Sequence, residues 1–254
     1  MTAEARVHRH HEHEVHVWGN VFEHRSRCGR VENHTRFGTE LLDVGDRSLE
    51  VRDGLDMHRH HARAIGDEFF NTPLTSYGTQ KTICELLISD YTRKGLLDGL
   101  SIRLPTICVR PGKPNKAASG FFSNIMREPL AGEPAVLPVS ESVRHWHASP
   151  RAAVGFLIHA ASLDTGKVGS RRALTMPGVS VTVGEQIAAL QKVAGEKVAA
   201  RIRREPDAFI EGVVAGWPRN FAPQRALALG FKADASFEDI IRIHIEDELG
   251  GRIA

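Results

Sequence analysis

A tyrosine and a lysine four residues apart, Tyr77 and Lys81, form the pair in this sequence whose types and spacing could do chemistry. On a helix, residues four apart lie on one face, so the phenol and the ammonium would address the same small volume. A nearby cation favours the phenolate and brings the tyrosine pKa, ordinarily about 10, closer to a working pH. Such a tyrosine could take the hydroxyl proton of an alcohol while a hydride leaves the carbon. The alternative is a solvated Tyr/Lys pair, which is common on helix surfaces.

The residues around the pair predict a helix over 77–94 that would present both side chains. The dipeptide Thr75-Ser76 is a candidate N-cap, and Gly95 is a stop signal. Between them, apolar residues recur at helical spacing at Ile83, Leu86, Leu87 and Tyr91. The following residues 100–109 alternate as a strand that Pro105 interrupts.

The rest of the chain after Ile65 continues this α/β pattern. Pro150 stands in the first turn of a predicted helix, with Ser149 as its cap. Ser236 is a candidate cap for the closing helix. The predicted helices cover about 117–127, 150–163, 182–203 (the longest amphipathic one) and 236–249, with a strand at 172–176. No repeat or low-complexity linker divides this part, so we treat 65–254 as one folding unit.

Composition and charge exclude several classes of function. The chain has 254 residues, 41% of them apolar and 25% charged, with a net charge of +2, which gives no case for nucleic acid as a partner. No stretch approaches about eighteen consecutive apolar residues and no secretory signal is recognisable, so we expect a cytoplasmic protein without membrane contact. Cys28, Cys84 and Cys108 have no C-x-x-C spacing, which argues against a disulfide scaffold or a thiolate zinc site. We expect the last two cysteines to be buried, unreactive thiols.

The averages conceal a change of composition between Ala64 and Ile65. Residues 1–64 hold 10 of the 14 histidines and 10 arginines, but no lysine, isoleucine or proline. Their longest apolar runs are pairs, whereas a buried strand needs about four apolar residues in a row. Alternation at Val15 and Val17 is a weak edge-strand signal. We therefore expect residues 1–64 to be irregular or disordered and outside the native fold.

Within that segment, imidazoles and carboxylates cluster between His8 and His16. Imidazole is a common ligand of zinc and nickel, so this tract could hold such an ion. It lacks ordered flanking elements that would fix a four-ligand geometry, and flexible His-rich tracts bind these ions weakly without an evolved role. We therefore predict no metal site in this chain.

The residues from Thr75 to Tyr91, with the following strand at 101–107, resemble the extended short-chain dehydrogenase/reductase superfamily, the NAD-dependent epimerase/dehydratase group. The D-erythronate dehydrogenases within it look similar to this chain at 102–121, 144–150, 216–218 and 233–240. The resemblance covers about residues 64–252. It implies an α/β fold, an incomplete Rossmann-like domain with a small C-terminal substrate-binding part. It also implies oxidation of a hydroxyl of a small sugar acid by hydride transfer to NAD, and it is compatible with a homodimer.

The resemblance assigns individual residues to the cofactor. Tyr77 would be the proton acceptor, and Lys81 would lower its pKa and bind the nicotinamide ribose. The backbone after Arg103, through Pro105 and Thr106, would flank the nicotinamide.

The resemblance also implies contacts with the substrate. Asn115 and Ser119 lie on the loop that faces the substrate in such enzymes, and Arg144 precedes the segment where a substrate-binding arginine is usual. A planar guanidinium suits the carboxylate of an aldonate, although a surface ion pair is an equal alternative for this arginine. His145 and His147 could be ligands or bases, but we favour partly buried, hydrogen-bonded structural roles.

One part of the superfamily pattern is missing. Its first βαβ unit carries a Gly-x-x-Gly-x-x-Gly turn that brings backbone N–H groups to the pyrophosphate. The glycines before Ile65 stand at 19, 29, 38, 45 and 54, and no two have that spacing. No serine occupies 50–57, the window in which the family's catalytic serine usually lies. We therefore expect this chain to bind NAD poorly and to turn over slowly or not at all.

Two other functions stay open. A sugar-nucleotide epimerase or dehydratase of the same superfamily would use the same Tyr77/Lys81 pair with NAD retained through the cycle. A non-catalytic, truncated fragment would be unaffected by the loss of Tyr77. The break at Ile65 further suggests the hypothesis that residues 1–64 are unrelated coding, such as a shifted reading frame joined to a genuine C-terminal portion.

Overall fold

The computed structural model describes residues 20–25, 64–113 and 117–254. Its strands are β1 (Asn20–Arg25), β2 (Ile65–Gly66), β3 (Asp98–Arg103), β4 (Thr106–Ile107), β5 (Ala135–Leu137), β6 (Arg144–Ala148), β7 (Ala173–Thr175), β8 (Val179–Thr182), β9 (Ile202–Arg204) and β10 (Phe221–Ala222). Its α-helices are α1 (Ser76–Arg93), α2 (Gly120–Leu130), α3 (Pro150–Ser162), α4 (Val183–Ala194), α5 (Glu196–Ala199), α6 (Ala208–Ala215), α7 (Gln224–Ala228) and α8 (Phe237–Leu249). None of the helices in these ranges is both long and apolar enough to cross a membrane.

Helix α1, which carries the tyrosine and the lysine, has both of the end signals that the sequence predicts. Thr75 is the N-cap, with an extended backbone and a side-chain oxygen that accepts from the backbone N–H of Gly78 at 3.1 Å. After Arg93 the chain reaches Gly95, whose φ of 73° is a left-handed conformation that glycine adopts without strain. The predicted helix is confirmed to within one residue at each end.

Strand β3 is the centre of a three-stranded sheet, with β7 parallel on one side and β1 antiparallel on the other. Leu100 and Ile102 point into a core that Phe156 of α3 also fills. Helix α1 lies on the opposite face, where a Cβ built on Gly99 would come within 2.7 Å of the Ile88 side chain. Glycine at this position therefore allows α1 to approach the strand closely.

Strand β1 lies inside the segment that the sequence predicts to be irregular. Its backbone pairs with β3 so that Asn20 stands opposite Arg103 and Arg25 opposite Asp98. The structure differs from the prediction at these six residues, because pairing on a free strand edge is made by the main chain and needs no apolar run. The other residues of 1–63, including the His-rich tract and Cys28, lie outside the described residues.

Among the described residues, the remaining strands form three small sheets, and a second core is filled partly by residues of β5, β8 and β9. Strand β4 is parallel to β6, and β6 is antiparallel to β8. Strand β5 is parallel to β9, and β2 is parallel to β10. Helices α2, α4 and α8 pack together over this core, which contains Phe122, Ile125, Leu130, Leu190, Ile240 and Ile241. The predictions for α3 and α8 hold within one residue, and α2 begins three residues later than predicted.

The predicted helix over 182–203 is wrong beyond Ala194. Gly195 has a φ of 90°, which ends α4, and the chain continues through the short α5 into β9. Ile202, the last residue of the predicted apolar stripe, pairs with Ala135 of β5. The periodicity continued across the break because residues of both elements pack against the same core.

Replacing Ser149 by alanine should destabilise the protein by about 2 kcal/mol. The Ser149 side chain caps α3 by accepting from the N–H of Ala152 at 2.9 Å and donates to Asp234 at 2.7 Å, and the residue is fully buried. Urea unfolding of the variant measures the loss. Thr75→Ala, which removes one exposed cap bond, is the control and should cost less. An equal loss in the two variants would contradict the importance of the buried cap.

Candidate active site

A cavity of about 640 Å³ opens beside the N-terminal half of α1. The polar residues that line it include Tyr77, Lys81, Glu85 and Arg103. Besides Tyr77, the aromatic residues that line it are Phe69, Phe70, Trp146, Trp217 and Phe221. A concave site of this size with a few convergent polar groups is typical of small-molecule binding.

The Tyr77 and Lys81 side chains meet in this cavity, as the four-residue spacing predicts. The Lys81 ammonium lies over the face of the tyrosine ring, 5.4 Å from its centroid, which is a cation–π contact. Burial raises the pKa of Tyr77, which is opposite to the shift that a catalytic base requires. The two side chains are thus in contact, but the Lys81 ammonium lies over the face of the Tyr77 ring and not beside the phenol oxygen.

An ion pair that the sequence analysis missed lies next to this pair. The Glu85 carboxylate, 6% exposed, accepts from Nε of Arg103 at 2.8 Å and from one of its amino groups at 2.6 Å. Asn71 donates a third bond to the same carboxylate at 3.0 Å. Glu85 stands four residues after Lys81, so it continues the same helix face. That spacing was the available signal, but nothing in the sequence identified the arginine on β3 as its partner.

His145 and His147 are structural histidines, as predicted. His145 is hydrogen-bonded at both ring nitrogens, to Pro218 and to Thr106, and burial lowers its pKa to about 4. His147 is fully buried and bonded to the side chain of Gln186, and burial holds its pKa well below the ordinary range. Both rings are therefore neutral at physiological pH and serve packing.

The other predicted site residues do not line this cavity within the described part of the chain. Pro105 is buried, and Thr106 is engaged by a histidine. Ser119 is the partly buried residue before α2. Arg144 donates to the Ser180 carbonyl at 2.8 Å and pairs with Glu185, so it forms the alternative ion pair. Asn115 lies outside the described residues. The site roles implied for all these residues stay predictions.

The two described cysteines differ in burial. Cys108 is fully buried, donates to the Phe122 carbonyl at 3.3 Å, and has its pKa raised by burial to about 12, so it is the unreactive thiol expected. Cys84 on α1 is only partly buried. Across 64–113 and 117–254 no group of three or more His, Cys, Asp or Glu side chains is placed to hold a metal ion.

Comparison with curated proteins finds relatives of a single kind over most of this chain. D-erythronate dehydrogenase from Haemophilus influenzae is 51% identical over 178 residues, which are 70% of this chain and 56% of that protein. D-erythronate dehydrogenase from Cupriavidus necator is 50% identical over 183 residues, which are 72% of this chain and 56% of that protein. This chain therefore spans little more than half the length of these relatives. No family model matches the sequence.

Solved structures share the fold. A nucleoside-diphosphate-sugar epimerase from Agrobacterium tumefaciens superposes with a TM-score of 0.74 at 68% identity, over 75% of this chain and 56% of that chain. An L-threonine dehydrogenase from Cupriavidus necator superposes with a TM-score of 0.64 at 21% identity, over 74% of this chain and 61% of that chain. The second likeness concerns the fold alone. Together they confirm the predicted Rossmann-like α/β fold of the short-chain dehydrogenase type.

Replacing Arg103 by methionine should cost about 3 kcal/mol of stability, because it leaves the buried Glu85 carboxylate with Asn71 as its remaining partner. Adding Glu85→Gln to Arg103→Met should recover most of that loss, because the buried charge is then removed. Urea unfolding of the two single variants and the double variant gives the coupling. The exposed pair of Arg151 supplies the control, since Arg151→Met should cost far less than Arg103→Met. A double variant as unstable as Arg103→Met would contradict the coupling.

The free energy of unfolding should fall as the pH drops from about 6.5 to about 4. Burial lowers the pKa of His145 to about 4, whereas an unfolded histidine titrates near 6.5. Between these values the unfolded chain binds a proton that the folded chain excludes, which costs about 3 kcal/mol when complete. Urea unfolding at several pH values across this range measures the slope of the free energy of unfolding against pH. His145→Gln should reduce the slope but not abolish it, because burial also lowers the pKa of His147 and of His244, and an unchanged slope would contradict the assignment.

Proposed function

We propose that this chain, whose C-terminal region belongs to the extended short-chain dehydrogenase/reductase superfamily, oxidises a hydroxyl of a small sugar acid with NAD as the acceptor. The observation that carries the proposal is the Tyr77/Lys81 pair inside a small-molecule cavity. The identity of about half of the aligned residues with two D-erythronate dehydrogenases supports D-erythronate as the first substrate to test.

The cavity fits the nicotinamide end of NAD by the chemistry of its lining. Lys81 has no carboxylate partner among the described residues, so its ammonium is available to the ribose hydroxyls. Aromatic side chains such as Trp217 offer flat apolar surface to a ring. NAD, when bound there, would accept the hydride that leaves the carbinol carbon.

In the proposed reaction Tyr77 takes the proton of the substrate hydroxyl as the carbon–oxygen bond becomes a carbonyl. Because burial raises the pKa of Tyr77, a cation must come close to the phenol oxygen for the phenolate to form. Lys81 is the lining residue able to supply that charge, by turning from the ring face toward the oxygen. Its role is then to stabilise the phenolate and to orient the ribose.

The substrate carboxylate has two candidate partners. The resemblance implies Arg144, which is already paired with Glu185. Arg103 lines the cavity and uses Nε and one amino group on Glu85, so its second amino group is the donor left for an anion. We favour Arg103 for this role, because a guanidinium inside the cavity can reach the substrate that Tyr77 deprotonates.

A second candidate function is epimerisation of a nucleotide sugar, and one finding favours it. The structure that is 68% identical over three quarters of this chain is described as a nucleoside-diphosphate-sugar epimerase. Such an enzyme would use Tyr77 and Lys81 in the same way, but would return the hydride within each cycle. The two functions separate when D-erythronate and nucleotide sugars are assayed side by side, with NADH formation as the readout for oxidation and the epimeric sugar nucleotide as the readout for epimerisation.

Tyr77→Phe should lower the rate of D-erythronate oxidation by about a hundredfold or more, because the general base is lost. The matched control is Tyr91→Phe on the same helix. Tyr91 is the second of the two tyrosines in the chain and does not line the cavity. NADH formation is measured at rising NAD concentration.

We expect that rate to rise almost linearly with NAD rather than to saturate, because the sequence before Ile65 holds no glycine turn for the pyrophosphate. Equal rates for Tyr77→Phe and the unaltered chain would overturn the catalytic role. They would favour a non-catalytic fragment.

A further inference from the structure

His145 connects strand β4 to a segment that lines the cavity. On one side its Nε2 lies 2.7 Å from the hydroxyl of Thr106, in β4. On the other side its Nδ1 lies 3.1 Å from the carbonyl oxygen of Pro218. Pro218 and the preceding Trp217 line the cavity, whereas His145 itself does not. The histidine therefore stands behind the cavity wall and is hydrogen-bonded to it through the Pro218 carbonyl.

Only one protonation state satisfies both bonds. The Pro218 carbonyl can only accept, so Nδ1 must carry a proton and donate it. Burial lowers the pKa of His145, so the ring is neutral and Nε2 carries no proton. The Thr106 hydroxyl must then donate to Nε2. Each group makes one bond with a fixed direction, which gives the ring a single orientation.

The ring of His145 is also held on its faces. Phe122 stacks on it with centroids 4.9 Å apart and an interplanar angle of 5°. The indole of Trp217 lies with its centroid 5.3 Å from the imidazole at a tilt of 41°. Phe122 is fully buried and belongs to the second core, so the stacked imidazole is held against that core. Trp217 therefore packs against an imidazole whose position is fixed by Phe122 and by two hydrogen bonds.

We propose that His145 is a positioning residue that holds the segment 216–218 in place, so that Trp217 forms a fixed wall of the cavity. Its effect is on how well the cavity binds a ligand. The proposal concerns the shape of the cavity and does not depend on which reaction occurs in it.

Two other hydrogen bonds hold Arg219 and Asn220, the residues that follow Pro218. Comparison with them shows what the His145 bond contributes. Ser180 donates to the Arg219 carbonyl at 2.8 Å on the exposed side. The backbone N–H of Ile65 donates to the Asn220 carbonyl at 2.9 Å. The Ser180 hydroxyl bond is exposed and competes with water, whereas the His145 bond is partly buried, with a buried imidazole as donor and a surface carbonyl as acceptor. His145 is therefore the buried side chain that fixes the start of this segment.

Two substitutions at His145 separate the bonds from the bulk of the ring. An asparagine amide nitrogen falls near the position of Nδ1, so His145→Asn can keep the donor to Pro218. A glutamine amide reaches the position of Nε2, so His145→Gln can keep the partner of Thr106 and loses the bond to the wall. Both variants remove the aromatic ring, so a difference between them reports on the Pro218 bond.

The measurement is hydrogen exchange of the Gly216 and Trp217 amides, which both donate to the Val214 carbonyl. We expect exchange about tenfold faster in His145→Gln than in the unaltered chain, and close to the unaltered rate in His145→Asn. Ser180→Ala is the matched control for a neighbouring bond and should change these amides less. His159→Asn removes a histidine bond to the distant Leu229 carbonyl and should leave them unchanged.

Equal acceleration in the asparagine and glutamine variants would overturn the proposal, because packing alone would then fix the wall. No acceleration in His145→Gln would overturn it as well. In a D-erythronate assay at one fixed NAD concentration, His145→Gln should raise the apparent KM for D-erythronate about tenfold and retain the apparent kcat, and a fall in apparent kcat at constant KM would contradict a positioning role. The exchange result decides the proposal even when the chain shows no turnover, so its failure is distinct from failure of the proposed reaction.

Discussion

The buried carboxylate of Glu85 is the constraint on which the geometry of the site depends. A charge taken out of water must be neutralised, and here the guanidinium of Arg103 does so with two bonds. The pair joins the middle of α1 to the end of the central strand β3, which sets the rotation of the helix. With that rotation fixed, Lys81 and Tyr77, one and two turns earlier, both line the cavity, and Tyr77 is 52% exposed there.

In this orientation α1 exposes apolar residues and buries a charged one, the opposite of an ordinary amphipathic helix. Ile83, Leu86 and Leu87 are 51%, 65% and 48% exposed, whereas the charged Glu85 is the buried residue of α1. The helix is attached to the sheet by an ion pair and by the close approach at Gly99 rather than by its apolar stripe. Electrostatics therefore does the positioning here that apolar packing does in α2 or α8.

The sequence predicts interactions between residues that are close along the chain and misses interactions between residues that are far apart along it. The caps Thr75, Ser149 and Ser236 act within three residues, and the helices that they begin are predicted correctly. The Tyr77/Lys81 pair is local too, so the structure brings it together as the spacing predicts. Glu85 with Arg103 and His145 with Pro218 are partners 18 and 73 residues apart, and no periodicity reveals such pairs. The false continuation of α4 has the same origin, since one core is filled from both sides of Gly195.

In the proposed reaction, the shared helix face brings Lys81 to Tyr77, but this alone does not make the tyrosine a base. Burial acts on the phenolate and raises the tyrosine pKa, and only a charge close to the oxygen can offset this. At the ring face, 5.4 Å from the centroid, the ammonium interacts with the π system, which is present in both protonation states of the tyrosine. The catalytic use of the pair therefore requires a third group that draws Lys81 toward the phenol oxygen. A ribose with two vicinal hydroxyls offers such a group, since it can bind the ammonium and stand next to the phenol at once. In the proposed function, cofactor binding and activation of the base would therefore be the same event, which is why the spacing of Tyr77 and Lys81 alone does not establish activity.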